Sequence, residues 1–432
     1  MTDTTQQLHK GVNLTAVVAL GLGTAVGVAI FSVIAPATAL AGPAMLLAVL
    51  VAAAPMFVIA VTYAFMGSAL PTSGASFEWS RRFIHPFVGF LIAWLRIVSN
   101  VGAILVLALV AVRYLSMVVP LPTKPTMFAG FVLFFLANYF GVALAARLQV
   151  ILMGALIVLF FVFAAWGAPH IEPAHFEPLL PQGTAGMLAA VPLLIGLFFG
   201  IEAATEIGDE VKDGRKTIPL GIALSIGSAV VLYLMVAVVA LGVLGAEALA
   251  ASETPLLDAA QPFMGPIAKP LIVTAAVVAI GKSLNSLYLG FSRSLFAMAR
   301  AGMLPSALAR VHPKYGTPHI ALWTILGGAT LGLLAPMNLT SLFLAVNIPT
   351  LLKYAATSIS AVVVVRKHPE IYAAARFKLS PRATIGWAYA GAAAALVIAV
   401  LGFQADWMPY AALGVWALIG IAYYMATHRK SA

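Results

Sequence analysis

The chain has 432 residues, of which 62% are hydrophobic and only 9% charged, with a mean hydropathy of +1.03. A soluble protein carries roughly 25% charged residues, so this composition excludes a water-soluble globular domain and leaves the lipid bilayer as the main solvent. Cysteine is absent, which excludes a thiolate metal site, a cysteine nucleophile and a disulfide-linked partner subunit. The net charge of +10 would suggest nucleic acid in a soluble protein, but the placement of the basic residues points elsewhere.

Crossing a bilayer takes about 20 apolar residues, and about twelve such spans are expected: 13–35, 42–70, 87–119, 126–146, 148–168, 187–207, 217–245, 270–299, 319–335, 338–365, 384–404 and 407–427. With both termini cytoplasmic, 18 of the 24 lysines and arginines fall on the inside, among them Arg81–Arg82, Lys212, Arg215–Lys216 and Arg366–Lys367. Outside lie Arg113, Lys124 and Lys269, and Arg96, Lys282 and Lys353 fall within spans. That asymmetry is a positive-inside pattern, so the charge records topology and no nucleic-acid partner is expected. Ala39-Leu40-Ala41 resembles a signal-peptidase site, but the apolar stretch before it exceeds a signal core of roughly 7–15 residues and reads as a retained first helix.

Two spans are interrupted by small residues. The first break lies in Leu22-Gly23-Thr24-Ala25-Val26-Gly27-Val28-Ala29, the second in Phe199-Gly200-Ile201-Glu202 with further glycines at 196 and 208. An unpaired peptide group in hydrocarbon costs several kcal/mol, so a helix broken there is expected to line a site, as in transporters with discontinuous helices. Gly23 and Gly27 also fit a helix-packing face, and that alternative stays open. The breaks open spans one and six. This spacing predicts two inverted five-helix repeats over 1–168 and 187–365, an extracellular connector over 169–186, and a cytoplasmic loop with two peripheral helices over 366–432. The fold class is thus an all-α integral membrane protein.

Glu202 lies within an apolar span, and an intramembrane carboxylate is by default functional; a structural acid bonded to unwound peptide groups is the competing reading. Glu206, Asp209, Glu210 and Asp213 are expected as mostly solvated ion pairs among Lys212, Arg215 and Lys216. Lys282 lies about eleven residues before Arg293, roughly 16 Å from the cytoplasmic end, near the midplane. It is a candidate coupling-proton carrier, a fixed charge replacing a cation, or a partner to a carboxylate. Arg96 and Lys353 are long enough to snorkel. Phe199, beside the break, is a candidate gate or cation-facing ring. Gly281-Lys282-Ser283 is no phosphate loop, because Ala276 stands where the leading glycine belongs. The eight histidines fall in loops or at span ends, so no metal and no cofactor is expected. No clustered nucleophile and base points to an enzyme.

Together these features resemble the amino acid/polyamine/organocation (APC) superfamily of transporters. The resemblance runs through Gly23 to Phe31, Pro71-Thr72-Ser73-Gly74-Ala75-Ser76-Phe77, Gly89-Phe90 to Trp94, Phe199 to Glu202 with Glu210 to Pro219, and Arg293 to Pro305 with Val311-His312-Pro313 and Gly316-Thr317-Pro318. It implies a ten-helix core working by alternating access. Carried over, a substrate α-carboxylate falls on Thr24, Gly27, Val28 and Ala29, and the α-amino group on carbonyls of Phe198, Phe199 and Ile201, with Glu202 beside them. Where many relatives have Ser-Gly, this chain has Val28-Ala29, which raises the standing of a decarboxylated amine. Many relatives place a lysine in helix five; Met153 to Leu156 has none, and Lys282 from helix eight is the candidate to supply that charge, with Glu202 as a second coupling group. The resulting expectation is a secondary transporter of an amino acid, coupled to protons or exchanging, with an amine or polyamine exchanger as the alternative and a sensor without flux behind it. The alanine-rich composition points to a bacterial inner membrane.

Overall fold

The computed structural model describes residues 8, 10–27, 29–334, 339–405 and 408–428, the side chains of 339–347, 401–405, 408, 409 and 428 excepted. In chain order the helices are α1 (Leu14–Ala25), α2 (Ala29–Ser32), α3 (Ile34–Ala41), α4 (Met45–Ala69), α5 (Ala75–Phe83), α6 (Pro86–Ser116), α7 (Thr123–Tyr139), α8 (Val142–Gly167), α9 (Gly183–Ile195), α10 (Gly214–Leu244), α11 (Ala246–Ala251), α12 (Pro255–Met264), α13 (Ala268–Arg300), α14 (His319–Gly332), α15 (Leu339–Lys367), α16 (Pro369–Ala374), α17 (Pro381–Ala405) and α18 (Met408–His428). Among the described residues ten helical stretches are long and apolar enough to cross a membrane. Each of the twelve apolar intervals holds a helix, but α7 and α14 are only 17 and 14 residues long. Ile151, Val231, Leu331 and Leu418 are large, apolar and exposed, as a lipid-facing surface requires.

The first apolar run is the centre of the molecule. Of its apolar window 71% is buried, against 11% for α18, and α1 packs on α8, α10 and α13. Asn13 caps α1 by accepting the Ala16 N–H at 3.0 Å, satisfying one of the donors a helix start leaves free. The helix stops at Ala25; Val26 donates to Leu22 O, and Gly27 donates to Ala25 O at 2.7 Å in a tight turn.

The second break is longer than its glycines suggest. After α9 the chain makes a 3-10 turn over Gly196–Phe198, extends at Phe199, turns at Gly200 with φ +94°, and continues as 3-10 turns over Ala203–Glu206 and Gly208–Glu210. The expected span over 187–207 is therefore helical in the α sense only to Ile195. At Gly200 the left-handed φ favours glycine, and a Cβ there would lie 2.1 Å from Thr24 Cγ2, so the two breaks touch. The backbone groups released by this unwinding find partners outside the segment. Gly74 donates to Glu206 O, Gly11 and Val12 donate to Glu210 O, and Lys212 donates to Val12 O.

Candidate functional site

A cavity of about 240 Å³ lies between the two breaks. The first break contributes Thr24, Ala25, Gly27 and Ala29; the second contributes Gly196, Phe199, Gly200, Glu202, Ala203 and Glu206. α6 closes one wall with Arg96, Ser99, Asn100, Ala103, Val106 and Leu107, α13 another with Ser283, Ser286, Leu287, Gly290 and Phe291, and α15 adds Thr350 and Lys353. Along α6 this wall spans about 16 Å, polar at the Arg96 end and apolar at the Leu107 end.

Of the residues expected at a substrate site, Thr24, Gly27, Ala29, Phe199 and Glu202 line this cavity. Val28 lies outside the described residues. Phe198 and Ile201 are buried and do not line it; the Phe198 ring packs edge-on against Tyr233, 5.5 Å away, because the extended backbone at Phe199 turns neighbouring side chains to opposite sides. Two of the expected polar groups are engaged within the chain. The Thr24 hydroxyl donates to Leu20 O at 2.9 Å, and the Gly27 amide is held in its tight turn.

Lys282 is fully buried behind this wall. Its ammonium donates to Gly23 O at 3.1 Å and to Val26 O, carbonyls freed by the break in α1, and Ser283 Oγ donates to Gly23 O at 2.9 Å. Of the readings open for this lysine, carboxylate pairing is replaced by carbonyl contact. The packing reading of the glycines also finds support. A Cβ at Gly23 would meet Gln149 Nε2 at 1.6 Å, and one at Gly27 would meet Ser283 Oγ at 2.9 Å.

Lys353 does not snorkel. Its ammonium sits 2.6 Å from Glu202 Oε1, with both side chains 3% exposed, and lies 4.8 Å from the Tyr354 ring centre and 5.6 Å from that of Tyr63. Tyr354 OH donates to Glu202 Oε2 at 3.0 Å and accepts the Gly200 N–H at 3.2 Å. A charge at this depth is costly unless paired, and the nearest carboxylate outweighs the distant interface. The cation-facing rings are therefore Tyr354 and Tyr63, while Phe199 meets Tyr354 edge-on at 6.0 Å.

The acidic run after Glu202 is less solvated than expected. Glu206 accepts from Ser76 Oγ at 2.6 Å and lies 3.5 Å from Arg96 Nη1. Glu210 is wholly buried in a two-pronged pair with Arg293, at 2.8 and 2.7 Å. Burial follows from the 3-10 path, which carries these carboxylates into the protein interior. Asp209 and Asp213 do stay partly exposed, beside Arg300 and Arg376 respectively.

Ser99, Asn100 and Gly290 went unremarked in the sequence, while Ser286, with Ser283, was expected only as an oxygen donor to sodium. The signal available was spacing: Arg96, Ser99 and Asn100 stand at i, i+3 and i+4 of an apolar helix, and so share one face, as do Ser283, Ser286 and Gly290.

Interrupted helices around a central cavity with a few polar groups are the construction of a membrane carrier. Residues 12–425 match the amino acid permease family. An uncharacterized transporter of Mycobacterium tuberculosis is 32% identical over 318 residues, which cover 73% of this chain and 72% of that one. The branched-chain amino acid permease of Bacillus subtilis is 27% identical over 433 residues, 95% of this chain and 91% of its own. The methylthioribose transporter of Bacillus subtilis is 27% identical over 434 residues, 95% and 92%. This chain belongs to the amino acid permease family, within the APC superfamily, and is an integral membrane transporter.

Proposed function

We propose that the protein is a secondary active transporter that moves an amino acid across the membrane by alternating access, coupled to protons or by exchange. The observation that carries this reading is one cavity bounded by both helix breaks, so a bound molecule touches the two segments whose rearrangement would expose it to either side. Relatives are named for branched-chain amino acids, for methylthioribose and for cationic amino acids, and among such substrates the cavity favours one without net charge, because Arg96 and Lys353 balance Glu202 and Glu206. An amine or polyamine would need an unpaired carboxylate, and both carboxylates here already have basic partners.

In this reading the substrate carboxylate sits at Thr24, Gly27, Val28 and Ala29, which requires the tight turn at Gly27 to open. The amino group sits against the backbone carbonyls of Phe198, Phe199 and Ile201, near Glu202. Lys282 holds the carbonyl ends of α1 as a fixed or titrating charge. The chain is read as twelve spans, two inverted five-helix repeats over 1–168 and 187–365 with the 169–186 connector, and two further helices within 366–432. Both termini are placed in the cytoplasm of a bacterial inner membrane. The experiment is uptake of labelled amino acids into proteoliposomes, with an imposed pH gradient or with unlabelled substrate trapped inside. Saturable uptake driven by either supports the reading, and binding without flux replaces it by a sensor.

A further inference from the structure

The polar end of the cavity contains two hydrogen-bonding groups with nothing to bond. Ser286 is 4% exposed and its hydroxyl has no partner among the described residues. Arg96 uses Nη1 on Glu206 at 3.5 Å, while its Nε is buried and unpartnered. Buried polar atoms are rarely left unpaired, since each such group keeps its full desolvation penalty. Two orphans on facing helices of one cavity, α6 and α13, point to a ligand that satisfies them.

Their placement defines where that ligand reaches. Ser286 adjoins the first break, because a Cβ at Gly23 would lie 3.3 Å from its hydroxyl. One helical turn further along α13, about 6 Å, Gly290 faces Glu206, its added Cβ 3.8 Å from Glu206 Cβ. That contact is ordinary, so no packing constraint demands glycine at 290; its effect is to leave room beside Glu206 and Arg96. A substrate whose backbone sits at the break would extend its side chain past Ser286 toward this pair.

The pair has a specific chemistry. Arg96 carries an unpartnered N–H donor and Glu206, beside it, a carboxylate acceptor, and both residues line this end of the cavity. A primary carboxamide is the complement, with one carbonyl acceptor and an NH₂ donor, and it brings no charge into a cavity whose charges already balance. We propose that Arg96, Ser286 and Gly290 form a side-chain subsite that selects a carboxamide-bearing amino acid over apolar, acidic and basic ones. The proposal rests on the amino acid reading above and names its substrate class.

The test is thermal stabilisation of the purified full-length protein in detergent, titrated with glutamine, norleucine, glutamate and lysine. Glutamine is expected to bind at least tenfold more tightly than norleucine, its apolar counterpart of similar length, and glutamate and lysine more weakly than glutamine. Arg96→Lys keeps a charge for Glu206 but removes the Nε–H edge, and Ser286→Ala removes only an unpartnered hydroxyl, so the second variant folds even if the first does not. Each is expected to erase most of the glutamine-to-norleucine ratio. Norleucine, glutamate or lysine binding as tightly as glutamine, or a ratio unchanged in Ser286→Ala, overturns the subsite while leaving amino acid transport standing. No stabilisation by any of the four, with no uptake of other amino acids, overturns both.

Discussion

The Lys353 ammonium lies 2.6 Å from Glu202 Oε1, although 151 residues separate the two in the chain, and Tyr354 OH holds the other oxygen of the same carboxylate at 3.0 Å. The pair clamps the unwound second break to α15 at the edge of the cavity. Removing one member of a buried pair leaves an uncompensated charge and typically costs about 3–5 kcal/mol, whereas removing both can be close to neutral. Lys353→Met alone is therefore expected to lower the thermal unfolding temperature sharply, and Lys353→Met with Glu202→Gln to recover most of the loss. Additive losses in the double variant would mean that the two side chains do not act on each other.

Glu210 and Arg293 join the 3-10 segment to α13 where the Val12 backbone pairs with Val211. Paired guanidinium and carboxylate groups combine charge with fixed geometry. This contact is expected to keep that face of the cavity shut. Because the chain has no cysteine, Ala203→Cys in the cavity lining gives a clean reporter. Adding Glu210→Ala to it should raise labelling by an impermeant thiol reagent, applied from the face that carries Val12, by about tenfold. Unchanged labelling would assign the pair a purely structural role.

Four glycines near the site separate packing from space. A Cβ at Gly23 runs into Gln149 Nε2 at 1.6 Å, and Gln149 in turn holds Ala19 O and Asn285. Gly23→Ala is expected to destabilise by about 1–3 kcal/mol, the usual cost of overpacking. Gly27→Ala meets a serine hydroxyl at 2.9 Å that can rotate away, and should cost less. At Gly196 no atom lies within 4 Å of the added Cβ, and at Gly290 only Glu206 Cβ does; alanine at either should leave unfolding unchanged and weaken binding of larger substrates. Unfolding curves for the four variants would check this order.

Much of this arrangement was legible in the sequence, for identifiable reasons. Apolar runs and the skew of basic residues mark the spans, and glycines in hydrocarbon mark both breaks. Thr24, Gly27, Ala29, Phe199 and Glu202, named on that ground, line the cavity. What stayed hidden depends on tertiary pairing. Nothing near Lys353 in the chain announces Glu202, so its length suggested an interface residue. The acidic run after Glu202 looked solvated because its neighbours are basic, yet the 3-10 path buries Glu206 and Glu210. The role expected of Phe198 and Ile201 belongs to their carbonyls; their side chains are buried outside the cavity lining, since the backbone conformation at Phe199, unreadable from residue type, decides which side chain points inward.

Lys282 is buried too, and its ammonium donates to carbonyl oxygens freed by the break in α1. If it carries the coupling proton, Lys282→Ala should abolish uptake driven by a pH gradient while leaving exchange of labelled for unlabelled substrate intact. Proteoliposomes measured in both modes would show the split. Unaltered proton coupling in the variant would remove the lysine from the coupling step.

The central claim is that the cavity between the two breaks takes an amino acid, with its carboxylate at the first break. The most direct measurement compares binding of leucine with that of 3-methylbutylamine, the same molecule lacking the carboxylate, by thermal stabilisation of the purified protein; a ligand that binds only the folded state raises apparent stability by mass action. The account predicts stabilisation by leucine and none by the amine. Stabilisation by the amine alone would contradict it, and would make this chain a carrier of amines in which the first break holds no carboxylate.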